Sequence, residues 1–344
     1  MVTGRGATAI YLVLAHLSQR LEEPGVMLAP ANVCYAALYP ALYAGWSVRF
    51  VDVSAHDGNL TAQAVEEFLS RERADALLAP HMYGQPIACL PQIANACAQA
   101  NVTLIEDCAS AMGAEASYPV GKVGDYTVFS TGYAKVVDVG FGGLLASERH
   151  DLGWAAAIEE TLPLRTESLE QTETLFGKVY RTLRTFPDSQ LDQAIYKVMP
   201  EATRDLFLHR LSADDADRVN AALADLNDIV AQRRQCQEAC QRIWDEAEPE
   251  RARAYPYSAG AVPWRFTFLV EPAMRRSLVS ACLEANVPIS DWYPSIAPML
   301  GDLGSYPSAE AMGDAILNLP LTNETVEVHL PRTLELLAHL QRGQ

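Results

Sequence analysis

At 344 residues, 49% of them apolar and 20% charged, the chain is long for one simple domain and suits a large unit followed by a smaller one. Its formal net charge of −17 argues against nucleic acid or an anionic membrane surface as a partner, because both select basic proteins. A small anionic substrate fits such a chain only if a cationic pocket is built locally.

From residue 1 to about 150, short apolar runs alternate with helical segments. Val26–Ala29, Val48–Val53, Ala76–Ala79 and Val102–Glu106 read as buried strands, and the stretches 6–20, 34–44, 61–72 and 90–100 as the helices between them. This alternation predicts an α/β unit with a mostly parallel sheet covered by helices. Two further strands, Tyr126–Ser130 and Gly143–Ser147, follow with only a short link, which places Lys135 on a loop between them. Residues 152–245 read as a helical extension, strongest over Leu211–Trp244, where Val219, Leu223, Leu226, Ile229 and Val230 recur among charges. The polar, proline-containing stretch Glu246–Pro256 marks a boundary. Beyond it, Trp264–Val270 reads as a strand, and Pro272–Ala285, Pro307–Met312 and Glu324–Leu340 as helices. The expected units are therefore 1–245 and a smaller α+β unit, 246–344.

Seven cysteines, at 34, 89, 97, 108, 236, 240 and 282, are scattered and odd in number. No Cys-x-x-Cys pair occurs, and Cys236 and Cys240 lie one turn apart with no His or Cys cluster beside them, so free thiols are expected rather than a metal site. The first residues carry no signal-peptide pattern and no apolar run reaches spanning length, which points to a cytoplasmic protein.

The chemistry concentrates around Lys135. It lies five residues after Ser130 in Phe129-Ser-Thr-Gly-Tyr-Ala-Lys135, with Gly140-Phe-Gly-Gly143 following, and 28 residues after Asp107 at the end of an apolar strand. An acid, a lysine and a hydroxyl so arranged suit pyridoxal phosphate (PLP): a lysine holds its aldehyde as a Schiff base and a carboxylate partners its ring nitrogen. Either residue alone reads as a strand-end acid or a surface lysine. Gly4-Arg-Gly-Ala-Thr-Ala9 opens the first helix, either as a plain cap or as a cradle for phosphate on Gly6, Ala7 and Thr8. Arg5 and Arg210 are candidate charges for an anion or ordinary solvated arginines. His81-Met-Tyr-Gly-Gln-Pro86 follows a strand, so His81 and Tyr83 either face a site at the strand ends or simply form a turn. Trp292 and Tyr293 either stack on a ring or pack a hydrophobic corner.

Taken together, these residues resemble the sugar aminotransferases of fold type I, the DegT/StrS family, over most of the chain. Gly6-Ala-Thr-Ala-Ile10 is similar to the family's phosphate-binding helix start. Pro30 to Gly45 with Val51-Asp-Val53 matches its next helix and strand, and His81–Pro86 its His-x-Tyr-Gly motif. Glu106-Asp-Cys-Ala-Ser-Ala-Met-Gly-Ala114 matches its acidic strand end, Phe129–Lys135 with Gly140–Gly143 its lysine loop, and Pro307–Glu310 with Leu317–Leu321 its C-terminal signature. The resemblance implies a seven-stranded-type sheet, a smaller C-terminal domain, PLP as cofactor, and transfer of an amino group from an amino acid, typically glutamate, to a nucleotide-linked keto-sugar. Lys135 would be the Schiff-base lysine and general acid–base, and Asp107 the partner of the pyridinium. Ser130 and the Ala7–Thr8 backbone would hold the phosphate. Tyr133 and Arg210 would reach the substrate, the sites being shared across a homodimer.

Four departures accompany the resemblance. Ser110 stands where Gln or His meets the cofactor's phenolic oxygen, and Cys34 where an aromatic side chain stacks on its ring. The partner-chain motif Asn-x-Arg reads Leu208-His-Arg210, and the chain starts almost on the phosphate-binding helix. They leave open a degenerate relative that binds ligand or partner without turnover. Arg265, Trp292 and Tyr293 are expected to share in substrate choice. A dinucleotide oxidoreductase ranks last, because Gly4 and Gly6 precede any predicted strand where that fold needs them after one.

Overall fold

The computed structural model of the chain describes residues 1–166, 168, 170, 171, 174, 177, 178 and 199–342. Its first seven strands are β1 (Val2–Thr3), β2 (Val26–Pro30), β3 (Ser47–Val51), β4 (Ala76–Pro80), β5 (Thr103–Asp107), β6 (Tyr126–Ser130) and β7 (Gly143–Ala146). They form one sheet in the order β1-β7-β6-β5-β4-β2-β3. All pairs from β6 to β3 are parallel, whereas β7 runs against both β6 and β1, so six strands share one direction. This is the mostly parallel seven-stranded sheet that the alternation and the resemblance implied. All five residues of β4 are buried, as a strand covered on both faces requires.

The two faces divide by strand periodicity. Leu77 and Ala79 of β4 pack with Val65, Leu90, Ile93 and Cys97 of α3 (Ala62–Leu69) and α4 (Leu90–Ala100). Their neighbours Ala76 and Leu78 pack on the other face with Ile10, Leu14 and Leu38 of α1 (Gly6–Ser18) and α2 (Tyr35–Tyr43). Because β6 and β7 are antiparallel, a plain loop joins them at the C-terminal ends of the parallel strands, and that loop carries Lys135.

α5 (Gly153–Glu159) and the single turn α6 (Arg204–Phe207) follow. The predicted helix over Leu211–Trp244 is two helices, α7 (Ala213–Leu223) and α8 (Leu226–Ala247), broken at Ala224-Asp225. The break lets the two segments pack differently. Val219 faces Gly142 of the lysine loop, while Val230 of α8 joins a cluster with Ala111, Met112, Val136, Val137 and Val262. Farther along, Cys236, Cys240 and Trp244 of α8 enter a second core. One helix thus serves both cores.

The second core is built on an antiparallel sheet in the order β10 (Ile316–Leu319), β9 (Phe266–Val270), β8 (Ala252–Ala254). Phe266, Phe268, Leu317 and Leu319 pack there with Met274, Leu278 and Cys282 of α9 (Pro272–Glu284). α10 (Pro307–Ala315) precedes β10, and α11 (Leu330–Arg342) follows a wide π turn at Thr325–His329. Strands β1, β8 and β10 were not expected; at two to four residues each, they are too short to show a period. β1 also corrects the premise that Gly4 and Gly6 precede any strand. It pairs antiparallel with β7 at the sheet edge, and so does not open a dinucleotide-type βαβ unit. Among the described residues, no helix is long and apolar enough to cross a membrane.

An acid ties the first sheet to the C-terminal region. Asp52, just after β3, accepts the N–H groups of Ser308 and Ala309 at 3.0 and 2.9 Å, so the N-terminus of α10 is capped from the first sheet. Asp52→Ala is expected to cost about 1 kcal/mol of stability and Asp52→Asn less, since an amide oxygen still accepts one bond; urea unfolding midpoints test the order.

Candidate active site

Neighbouring residues on a strand face opposite ways, and β5 ends in two adjacent acids. Glu106 is fully buried. Its carboxylate accepts the N–H groups of Gly121, Val123 and Gly124 at 2.6, 2.9 and 3.0 Å, and the His81 ring at 3.1 Å. The other ring nitrogen, Nδ1, accepts the Ile87 N–H at 3.0 Å, which puts the ring proton on Nε2. Burial pushes the Glu106 carboxyl up, but His81 and the backbone N–H groups outweigh it and hold the group below its ordinary value. Cys108 lies close to the same pair, its Sγ 3.9 Å from Glu106 Oε1. With the carboxylate oxygens already taken by N–H donors, the cluster is a hydrogen-bonded knot that fixes the β4 and β5 ends.

Asp107 faces the other way. One carboxylate oxygen accepts the Ala109 N–H at 2.8 Å; the other has no hydrogen-bond partner among the described residues. Burial raises its pKa, opposed by that N–H and by the charge of Lys135. The side chain borders an inner chamber of about 80 Å³, whose wall also includes Gly6, Ala7, Cys34, Ser110, Ser130 and Lys135. Lys135 Nζ donates to Ser110 Oγ at 3.4 Å. Ser130 Oγ accepts the Gly132 N–H at 3.3 Å and lies beside the first turn of α1. A Cβ on Gly132 would stand 3.2 Å from Arg5 Nη1 and 3.4 Å from Ser130 Oγ, and one on Gly6 3.2 Å from Ser130 Cβ. The two glycines thus keep open a pocket bordered by a hydroxyl, a guanidinium and a helix N-terminus, a setting for an anion.

The chamber opens into an outer one of about 380 Å³, bounded by Arg5, Tyr35, Tyr133, Phe207, Trp264, Arg265, Trp292 and Tyr293 among others. Tyr293 borders both, and its ring stacks on Trp264 at 5.6 Å and 22°. Cys34 caps α2 between the chambers; burial pushes its thiol up, while Lys135 pulls it down.

Most residues singled out in the sequence converge here, although the polar groups of several are already engaged. The Thr8 hydroxyl is fully buried and donates to the Phe207 carbonyl at 2.9 Å; the resemblance assigns the phosphate to its backbone rather than to this hydroxyl. His81 touches the inner chamber, yet Glu106 and Ile87 occupy both ring nitrogens. Tyr83 also borders the inner chamber, as a buried residue whose hydroxyl accepts the Tyr293 N–H at 3.3 Å. The Arg210 side chain is exposed and outside both chambers of its own chain. Two residues went unread. Asp138 accepts the Ala134 and Gly140 N–H groups at 2.7 and 2.9 Å, and the Trp264 indole donates to the Ala134 carbonyl at 2.5 Å. Both shape the lysine loop, where Ala134 sits at φ +58°. Asp two residues before Gly was a turn signal for the first; nothing local pointed to the second.

Fold and site together define an α/β protein of aminotransferase architecture, with a lysine and a buried acid facing one chamber. The chain belongs to the DegT/DnrJ/EryC1/StrS aminotransferase family, whose model it matches over residues 1–337. Helicobacter pylori PseC, an aminotransferase of pseudoaminic acid biosynthesis, shares the fold at TM-score 0.77 and 15% identity, over 98% of this chain and 86% of that one. Aminotransferase TlmJ from Streptoalloteichus hindustanus does so at 0.73 and 22%, over 99% and 86%. Among curated relatives, GDP-perosamine synthase from Escherichia coli is 28% identical over 144 residues, 41% of this chain and 38% of that protein. UDP-4-amino-4,6-dideoxy-N-acetyl-beta-L-altrosamine transaminase from Campylobacter jejuni is 30% identical over the same length and shares. The chain thus aligns with well under half the length of these curated relatives.

Glu106→Gln would turn amide hydrogens toward backbone N–H donors and should destabilise the protein by about 2–3 kcal/mol at neutral pH. Because the folded state lowers the Glu106 pKa, its stabilisation is present above the ordinary value of 4.5 and lost as pH falls through the folded one. Urea unfolding across pH should therefore show the gap between variant and parent closing below 4.5.

Proposed function

We propose that the chain is a PLP-dependent aminotransferase that moves an amino group from an amino acid, L-glutamate in the first instance, to a nucleotide-linked keto-sugar. The product would serve a surface polysaccharide or a secondary metabolite. The observation that carries this reading is the convergence of the Lys135 amine and the open side of Asp107 on one inner chamber, beside the α1 N-terminus. When bound, the cofactor supplies an electron sink and a carbonyl that exchanges amino groups.

The residues present fit that group. Asp107 carries a charge that burial disfavours, and a protonated ring nitrogen is the cationic partner that would restore it. The pocket between Gly6, Gly132, Ser130 and Arg5 fits a phosphate, with the first amides of α1 directed at it. Lys135 would hold the aldehyde and afterwards carry a proton to and from the reacting carbon. Ser110 orients that amine through its 3.4 Å hydrogen bond, at the position where a longer Gln or His is usual. Cys34 leaves one face of the chamber without an aromatic ring, and Tyr293, which borders both chambers and stacks on Trp264, is an aromatic side chain placed to cover it.

Relatives named for GDP- and UDP-linked sugars support the substrate class. A homodimer with shared sites suits Arg210, which is exposed and lines neither chamber of its own chain, and Tyr133, which is half exposed and lines the outer one. A cytoplasmic location accords with these substrates.

Purified protein should be yellow, and Lys135→Ala should lose the visible absorption and at least roughly 10²–10⁴-fold of the transamination rate. Parent protein that stays colourless with added PLP would refute the assignment. Cofactor bound through Lys135 but inert toward every amino donor would instead favour a non-catalytic relative.

A further inference from the structure

The outer chamber reverses the charge balance of the chain. The protein has 43 acidic and 26 basic residues, yet the only charged side chains bounding this chamber are Arg5, Lys135 and Arg265, with no carboxylate among the described residues. In the aminotransferase reading, on which this inference rests, two of the three cations are engaged: Lys135 with the cofactor and Arg5 beside the phosphate pocket, its Nε donating to the Leu206 carbonyl at 2.7 Å. Arg265 remains.

Its surroundings are built. The guanidinium lies 4.7 Å over the ring of Trp264. That ring is fixed on its edge by the bond to Ala134 and on its face by Tyr293. Arg233, outside the chamber lining, donates to the carbonyls of Pro263 and Trp264 and so braces the backbone that carries Arg265. Among the described residues Arg265 forms no ion pair. A half-buried guanidinium held over an indole and lining a cavity without acids has donors to offer an incoming anion.

We propose that Arg265, held on Trp264, receives an anionic oxygen group of the substrate, carboxylate or phosphate, and so decides which substrates the outer chamber accepts. The carboxylate would come from the amino donor and the phosphate from the nucleotide-linked sugar, and the two half-reactions separate these sources.

The test uses holoprotein, Arg265→Gln and Arg265→Lys. Cofactor absorption is recorded first, since it reports the underlying reading independently of Arg265. The single-turnover reaction with L-glutamate and the calorimetric binding of UDP and of inorganic pyrophosphate are then compared with the parent. Arg265→Gln is expected to weaken one of these arms about tenfold or more, Arg265→Lys to weaken it less, and neither to alter the cofactor spectrum. Loss in the glutamate arm identifies the carboxylate, and loss in the UDP and pyrophosphate arm the phosphate. An Arg265→Gln protein with both arms unchanged overturns the proposal, as does a parent protein that engages none of the three probes. A colourless parent sinks the aminotransferase reading instead, and the calorimetric arm then still tests Arg265.

Discussion

The molecule depends on the alternation of side chains at the end of β5. Two adjacent acids leave the strand on opposite faces, and the fold gives them opposite environments. Glu106 is saturated with hydrogen bonds from a neighbouring loop and from His81, which ties the ends of β4 and β5 together. Asp107 is left with one N–H and an open oxygen in the chamber. A buried carboxylate without enough donors is expensive, and this one is held in place by the saturation of its neighbour. The knot supplies rigidity where the chamber needs an unsatisfied charge.

Everything else in the site is brought to that charge by topology. The antiparallel turn between β6 and β7 carries Lys135 back over the C-terminal ends of the parallel strands, and Asp138 shapes the turn from within. The α1 N-terminus and Ser130 border the same space because β6 leads directly to Gly132 and Gly6 lies against Ser130. The second unit then reaches in. Trp264 fastens the lysine loop, and Tyr293 and Arg265 complete the walls. The Asp52 cap on α10 and the shared helix α8 keep that unit in register with the first sheet.

The inner half of the site could be read from the chain because its parts are local. Lys135 and Ser130 share one short segment, Asp107 ends an unmistakable apolar strand, and Gly6 opens a helix. What the chain did not disclose is of another kind. The Thr8 hydroxyl and the His81 ring lie in the right motifs, but Phe207 and Glu106, remote in sequence, and Ile87, in the turn after His81, already occupy their polar atoms. A motif names a residue; it does not say which hydrogen-bond partner reaches that residue first.

By itself, the sequence determined the longer strands of the first sheet, the helices between them and the spacing of Lys135 from Asp107, because apolar periodicity and short-range spacing encode them. Only the tertiary structure decided how Glu106 is saturated beside Asp107, where α7 and α8 part, and which side chains wall the outer chamber. Those outcomes depend on contacts between distant segments, such as Trp264 with Ala134 and Asp52 with α10. A cationic chamber in a chain of net charge −17 is the plainest case: composition sums the charges, and folding selects which few of them face the same space.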